Sequence, residues 1–492
     1  MNFRPIFHSF SRLPAVAVIF MVGVLLSVSP LYAQQTLGSI LGTVTDASGS
    51  SLAGAQVTLL DQGTGLQRTT VSSQAGAYAF YNLAIGTYTV SVTSAGFAES
   101  RFPNILVQGD RTVTLNARLT IGSVQTAVTV EASPLLNAVD TTNGYILDSA
   151  QIENVPLATG SFTQLAVLAP GVSAELLSGT GTQTALGNQP IWANGQRDTS
   201  NTFLFNGVDV SNLFNGKSTS QVSSGRVVPN TGEGFGPGGS ILTGTSVYDA
   251  IGQAIPTPAP ESIEEIRVNT SMYDAQQGST SGAHIDMSTK AGTNVIHGQA
   301  YLYRGTDWLN AAPFFYKDDP AIPANKKVPE LHRFTTGASV GAPIIKDKLF
   351  GFLAYNAIRV TDQASGISNL AVTPGLGSDR SAQALVNLVQ TNFGQTITAS
   401  QIDPAALTLF NFKLPNGAYL IPSAQSPALT NESNVTLFGR PSFTADQAVA
   451  DLDWNATPKD VVSAKYFYQH DPTIAPYTNS ATDGFAQHLD SG

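Results

Sequence analysis

A chain of 492 residues has room for two or three domains of about 100–200 residues each. Charged residues make up 12% of it, about half the usual share for soluble globular proteins, while 42% is hydrophobic and 45 residues are glycine. The net charge of −10 argues against nucleic acid as a partner, and the lack of cysteine excludes disulfides, zinc–thiolate sites and thiol nucleophiles.

The first 33 residues read as a Sec-type export signal. Arg4 and Arg12 supply positive charge, Ala15 to Val28 is almost unbroken apolar sequence, and Leu31-Tyr32-Ala33 ends on a small residue. The run is shorter than the roughly 20 residues that span a bilayer, so cleavage after Ala33 is expected rather than anchoring. No later segment is apolar enough for a spanning helix, so membrane insertion would have to use strands.

From Leu37 to about Thr120 the pattern is one of short alternating strands. Ile40, Gly42 and Val44 share a face, as do Ala55, Val57 and Leu59, then Tyr78 and Phe80, then Tyr88, Val90 and Val92, then Val113, Leu115, Ala117 and Leu119. Period-two alternation with turn residues every 8–12 positions predicts an all-β sandwich. The spaced string Gly42-Thr-Val44-Thr-Asp46, Gly54-Ala55-x-Val57, Gly76-x-Tyr78-x-Phe80, Gly86-x-Tyr88-x-Val90 and Gly96-Phe97 resembles the carboxypeptidase regulatory-like domain. The resemblance implies an accessory module, not catalysis. None of the six histidines has the partner spacing of a zinc peptidase, so no metal and no cofactor are expected. Aromatics at 78, 80 and 88 alternate with apolar neighbours, which favours core packing over a glycan platform and a spacer role for the domain.

Val128-Thr129-Val130-Glu131-Ala132 follows the sandwich and resembles a TonB box, the extended segment a partner captures by strand addition. The same five residues also suit the first strand of the next domain, and both readings stand. Beyond them, Asp148 or Ser149 can cap a helix through Ile152, and Ser161 another through Leu165 and Leu168, stopped by Pro170-Gly171. Ala193-Asn194-Gly195-Gln196-Arg197, Ser200-Asn201 and Phe203-Leu204-Phe205-Asn206-Gly207-Val208-Asp209 resemble the plug of Oar-like TonB-dependent outer-membrane receptors, with tight Asn-Gly turns. Gly232-x-Gly234-x-Gly236-Pro-Gly238-Gly239 lacks a following Lys-Ser or Lys-Thr and reads as a surface loop rather than a nucleotide cradle. Tyr273, Gly278, Gly282 and Thr289-Lys290-x-Gly292-Thr293-Asn294-x-x-His297-Gly298 resemble the end of such a plug and entry into its barrel. Gly195, Gly207, Gly278 and Gly282 are its expected structural turns. Glu264, Glu265, Asp286 and Lys290 are expected on exposed or lumen-facing strand positions as solvated or paired charges, so no catalytic residue is assigned.

After Val295 longer alternating segments appear: Gly298–Arg304, Thr335–Gly341, Leu349–Arg359, Val449–Asn455 and Val462–Gln469. Ala450, Leu452 and Trp454 oppose Asp451, Asp453 and Asn455, an apolar-out, polar-in dyad of the outer-membrane barrel kind. Thr361 to Asp446 reads as one long loop. About 22 strands of about 10 residues would complete such a receptor, so the chain is expected to continue beyond Gly492.

The expected fold class is mainly β: an N-terminal β-sandwich (transthyretin/Ig-like) over 34–120, a linker and α+β plug over 121–294, and the beginning of a transmembrane β-barrel over 295–492. The resemblance implies a non-enzymatic outer-membrane transport receptor for uptake or export. Its expected partners are the inner-membrane TonB energy-transducing complex, outer-membrane lipid and an unidentified ligand, with glycan among the candidates. The alternative is a cell-surface adhesion or carbohydrate-binding protein built from β-sandwiches.

Overall fold

In the computed structural model the described residues are 37–122, 128–129, 143–155, 157, 161–174, 191–197, 200–211, 257–271, 281–312, 314–318, 324–362, 367–370, 372–415, 417–424, 435–438, 442–470, 473–476 and 486–489. The expected export signal, the glycine-rich loop at 232–239, Tyr273, Gly278, and residues 130–132 of the TonB-box-like segment lie outside them.

The first strands are β1 (Gly38–Thr45), β2 (Gln56–Asp61), β3 (Gln67–Val71), β4 (Ala77–Leu83), β5 (Gly86–Thr93), β6 (Ser100–Val107), β7 (Thr112–Thr114), β8 (Ala117–Arg118) and β9 (Val128–Thr129). They form two sheets, one ordered β4-β1-β7 with β8 also on β1, the other β3-β2-β5-β6-β9. The alternating residues meet between them: Ile40, Val44, Val57, Leu59, Tyr78, Phe80, Tyr88 and Val90 are all at most 4% exposed. Tyr78 and Phe80 meet edge to face, and each buried tyrosine donates its hydroxyl to a carbonyl, Tyr78 to Leu115 and Tyr88 to Ala84. The segment 113–119, expected as one strand, is split into β7 and β8, both parallel to β1. Asn116 sits between them and accepts from the amide and the hydroxyl of Thr43.

The next body carries β10 (Asn143–Asp148), α1 (Ser149–Asn154), α2 (Thr163–Ala166), β11 (Val172–Ala174), β12 (Ile191–Ala193), β13 (Thr202–Phe205), β14 (Val208–Asp209), β15 (Ile263–Ser271) and β16 (His284–Thr289). Five of them make a sheet ordered β10-β15-β16-β13-β14, and β11 pairs with β12. Asp148 caps α1 through a capping box with Gln151. The second helix is shorter than expected. Ser161 Oγ accepts the amide of Thr163, but the helix ends at Ala166 and Leu168 is exposed. Phe162, Leu165, Phe203, Ile266, Val268, Ile285 and Met287 form its core.

The last strands are β17 (His297–Thr306), β18 (Leu331–Ile345), β19 (Leu349–Asp362), β20 (Ile367–Leu370), β21 (Val435–Phe438), β22 (Ser442–Asn455), β23 (Val461–His470), β24 (Thr473–Pro476) and β25 (Ala486–Leu489), with helices α3 (Phe314–Lys317), α4 (Ala382–Phe393) and α5 (Pro404–Asn411) among them. The long strands pair antiparallel with their neighbours in the order β17-β18-β19-β22-β23. Register places Leu353, Ala450 and Tyr466 in one transverse row and Leu349, Trp454 and Val462 in another. Leu353, Tyr466, Trp454 and Val462 are all exposed, so the apolar-out half of the expected dyad holds.

Two expectations need correction. The opposite face is not uniformly polar: Phe350, Phe352, Ile358, Val360, Phe443 and Val449 are buried there among Asn356, Gln447 and Asp451. That face packs against protein instead of water, so apolar residues are as welcome on it as in any core. Nor is 361–446 one structureless loop. It contains α4, capped by Ser381 and ended by Gly394 in the left-handed conformation, and α5, capped by Asp403 with Pro404 in its first turn. Arg380 is buried between them and donates to the carbonyls of Gly377, Phe410 and Ile421 and to Ser423 Oγ, with its guanidinium 4.4 Å from the Tyr419 ring centroid.

Candidate functional site

The candidate site is the small mixed body of 143–289 and the two surfaces that hold it, the sandwich on one side and the long-stranded sheet on the other. Two Asn-Gly turns shape its ends. Asn194 and Gly195 have φ of 51° and 77°, and Asn206 and Gly207 have 52° and 78°, so both central residues of each turn are left-handed. That is the type I′ geometry that Asn-Gly supplies at least cost. In the second turn Phe205 pairs with Val208 across the hairpin, and Asn206 Oδ1 accepts from the amide and the hydroxyl of Thr289. Asn194 Nδ2 donates to the carbonyl of Thr270 at the other end of the sheet. Gly282 serves differently: a Cβ there would come within 2.6 Å of the Ser200 carbonyl oxygen, so its role is close approach.

Across the sheet, β15 lies between β10 and β16 and has both faces covered. A bulge between Ile263 and Glu265 changes the parity, so Ile263, Ile266 and Val268 all reach the apolar core. Glu265, Arg267 and Asn269 alternate with Ile266 and Val268 and so face the other way. Arg267 stands opposite Asp286, and Asn269 opposite His284. Glu265 and Asp286, expected at exposed or lumen-facing positions as solvated or paired charges, are buried beside Arg267: Glu265 is 5% exposed, Asp286 8% and Arg267 3%. The cover comes from the sandwich. The Gly109 amide donates to Glu265 Oε1 at 3.2 Å, Arg267 Nη1 donates to the Gly109 carbonyl at 2.6 Å, and the Asp110 carboxylate lies 3.5 Å from the same guanidinium nitrogen. Burial, opposed by the Gly109 amide and by Arg267, pushes the Glu265 carboxyl up to about 7, with Asp286 and Glu264 adding to the rise. Burial likewise lowers the His284 imidazole below its ordinary value. Glu264 is half-buried and also raised by desolvation, while Lys290 pairs with Glu153 of α1.

The other surface is a hydrogen-bonded ladder that sequence reasoning missed. Tyr301 on β17 donates to Asn356 on β19, Asn356 donates to Gln447 on β22, and Gln447 donates to the backbone carbonyl of Thr257 at 2.6 Å. Nearby, Tyr303 donates to Glu261, Gln299 donates to Glu153 and to the Glu261 carbonyl, and Phe467 on β23 packs 5.2 Å from Phe205. A cavity of about 430 Å³ lies along this seam, lined by Glu153, Glu261, Tyr303, Arg333, Asn356 and Gln447 among others. The available signal was the polar residue at an inward position of an otherwise apolar stretch, Asn356 between Phe352 and Ile358 and Gln447 between Ala445 and Val449.

Of the TonB-box-like segment, Val128 and Thr129 are described, as β9 paired parallel with Ser100 and Arg101 of β6. They sit at the edge of a sandwich sheet, away from the plug-type sheet, whose strands do not include them. The glycine at 292, in the motif after β16, would place any Cβ within 2.6 Å of the Gly351 carbonyl oxygen on β19. It marks the point where the chain leaves the small body and passes against the long-stranded sheet. Among the described residues no group of three or more His, Asp or Glu is placed to hold a metal ion.

Residues 288–491 match the outer membrane beta barrel domain, and residues 39–120 match the carboxypeptidase regulatory-like domain. Over 365 residues the chain is 23% identical to the TonB-dependent transporter Oar of Myxococcus xanthus, covering 69% of this chain and 30% of that protein. The chain is thus similar to Oar-like TonB-dependent receptors. Its place is the outer membrane. It spans about a third of the length of the Oar relative and of the receptor structures it resembles. The ferric enterobactin receptor PfeA of Pseudomonas aeruginosa aligns over 69% of this chain and 34% of its own, at 14% identity and a TM-score of 0.35. The outer membrane transporter YddB of Escherichia coli aligns over 68% and 34%, at 11% identity and a TM-score of 0.38. The Oar relative is a transporter.

Proposed function

We propose that the chain works as part of a TonB-dependent transporter that moves an unidentified ligand across the outer membrane, with the mixed body of 143–289 as its plug. The observation that carries this reading is the two-sided sheet of β17, β18, β19, β22 and β23. Its outer rows are exposed and apolar, as lipid requires, while its inner face hydrogen-bonds to the plug through Gln447 and Gln299. A glycan-binding adhesin has less support, because the sandwich aromatics Tyr78, Phe80 and Tyr88 are buried and offer no stacking platform.

Energy would enter through Val128–Ala132. Its first two residues, Val128 and Thr129, pair as a short strand at a sheet edge, and a periplasmic TonB domain would capture the segment by the same strand addition. Photo-crosslinking amino acids placed singly at residues 128 to 132 of the envelope-expressed protein should capture TonB from at least one position. Capture from positions in the plug or sandwich but from none of these five would remove the segment as the docking site.

A further inference from the structure

Among the described residues the sandwich meets the rest of the chain at two built contacts, neither of which transport by a plug and barrel requires. In the first, the turn between β6 and β7 is gripped by β15. Glu265 accepts from Gly109, Arg267 donates to Gly109, and Asp110 faces Arg267, so one residue is held through both its amide and its carbonyl. Asp110 has φ of 56°, which turns the chain sharply at the point of contact. In the second, the turn between β2 and β3 meets the exit from the plug. The Asn294 amide donates to the Gly63 carbonyl at 2.9 Å, while the Asn294 side chain makes two reciprocal bonds with Asp347, in the turn between β18 and β19. Asn294 thus joins the sandwich, the plug exit and a turn of the long-stranded sheet at one residue.

We propose that the sandwich is a clamp on the plug, closed by Gly109–Asp110 on Glu265 and Arg267 and by Gly63 on Asn294. The covalent link between the two bodies leaves the sandwich after Thr129 of β9 and enters the plug at Asn143, and the clamp joins those bodies a second time. The link is then a loop closed at its base. A pull applied within it is shared by the clamp before it can act on β10, so the clamp must open for the plug to move alone. This last consequence rests on the proposed energy coupling; the clamp does not.

The full chain contains no cysteine, so two can be introduced cleanly. Spin labels at exposed Ala53→Cys in the sandwich and exposed Ala150→Cys in α1 report the distance between the bodies in the detergent-solubilised chain. The unmodified clamp should give one narrow distance distribution. Arg267→Met with Asp110→Gly should broaden it toward longer distances. Amide exchange at Gly109 should rise about tenfold or more, as expected for losing charged hydrogen bonds, while β5 and β16 keep their protection. A narrow distribution persisting while β5 and β16 stay protected overturns the clamp. Should Arg267→Met cost β16 its protection, Asp110→Gly alone decides, because glycine keeps the left-handed turn and removes only the carboxylate. Unchanged distance and unchanged exchange at Gly109 in that variant overturn the clamp as well. Because neither readout involves TonB, a failed clamp and a failed docking segment remain distinguishable.

Discussion

At Asn206 one side chain does two jobs, holding a left-handed backbone and fastening the hairpin tip to Thr289. Asn206→Ala should therefore lower plug stability by about 2–4 kcal/mol, combining the left-handed penalty with two lost hydrogen bonds. Asn206→Gly should lose less, since only the bonds go; equal losses in denaturant unfolding would show that the backbone contributes nothing. Glu265, outside the membrane-spanning strands, makes a pH prediction. Its carboxyl is raised from 4.5 to about 7 in the folded chain, so folding favours its protonated form. The stabilisation tied to this group is complete below about pH 4.5 and is lost as pH rises through 7. Glu265→Gln, neutral at every pH, should flatten that part of the stability profile measured between pH 5 and 8. An unchanged slope would assign it to the other groups gathered there, Glu264, Arg267, His284, Asp286, Asp110 and Asp209. The turn at Asn206 was legible in the sequence because Asn-Gly dictates its own geometry locally. The burial of Glu265 was not, because its cover arrives from Gly109, 156 residues earlier in the chain.

Among elements, the long strands were readable because alternation survives wherever one face meets lipid. Val449–Asn455 was found for that reason, and its extension back to Ser442 was missed because Phe443, Ala445 and Gln447 mix apolar and polar residues on the inner face. The same mixture explains Phe467, an apolar residue on the expected polar side of β23, whose ring meets Phe205 of the plug. Gln447→Leu tests whether the ladder fastens plug to wall. It removes the bonds from the Asn356 amide nitrogen and to the Thr257 carbonyl, and should cost about 1–3 kcal/mol for each. Exchange should quicken at Thr257 and Ala259 before it does in β19; simultaneous loss would mean that the ladder only braces the wall. The helices within 372–424 went unread because their caps, Ser381, Gly394 and Asp403, lie in a region whose composition resembles loop. Their organising residue is Arg380, which donates to the carbonyls of Gly377, Phe410 and Ile421 and so ties three segments together. Arg380→Ala should speed proteolysis within 372–424 about tenfold or more while leaving β18 and β19 protected, and parallel loss in those strands would tie the module to the sheet.

For the whole molecule, the outer face of the sheet has a visible limit. Rows from Trp454 and Val462 to Tyr355 and Tyr468 are apolar or aromatic, and immediately beyond them Arg359 pairs with Asp446 on the same face. Charges there are cheap only where water or headgroups reach them, so the pair marks one boundary of the lipid-facing band. The short turns at 346–348 and 456–460 close the opposite end, next to Asn294 and the sandwich. Sandwich, plug exit and short turns thus share a side, which the transport reading assigns to the periplasm, where TonB would act. Val130→Pro in an uptake-competent receptor examines that reading directly. Proline at 130 has no N–H to donate and so cannot complete a ladder with a captured partner strand. If the segment is a docking strand, the variant should reach the outer membrane at normal abundance and lose most TonB-dependent uptake. If residues 128–132 instead stabilise the fold, the same proline should lower abundance first, because a structural ladder bond is lost within the chain itself. Two assays, outer-membrane yield and ligand accumulation, separate these outcomes, and normal uptake at normal yield would leave Val128–Ala132 with neither role.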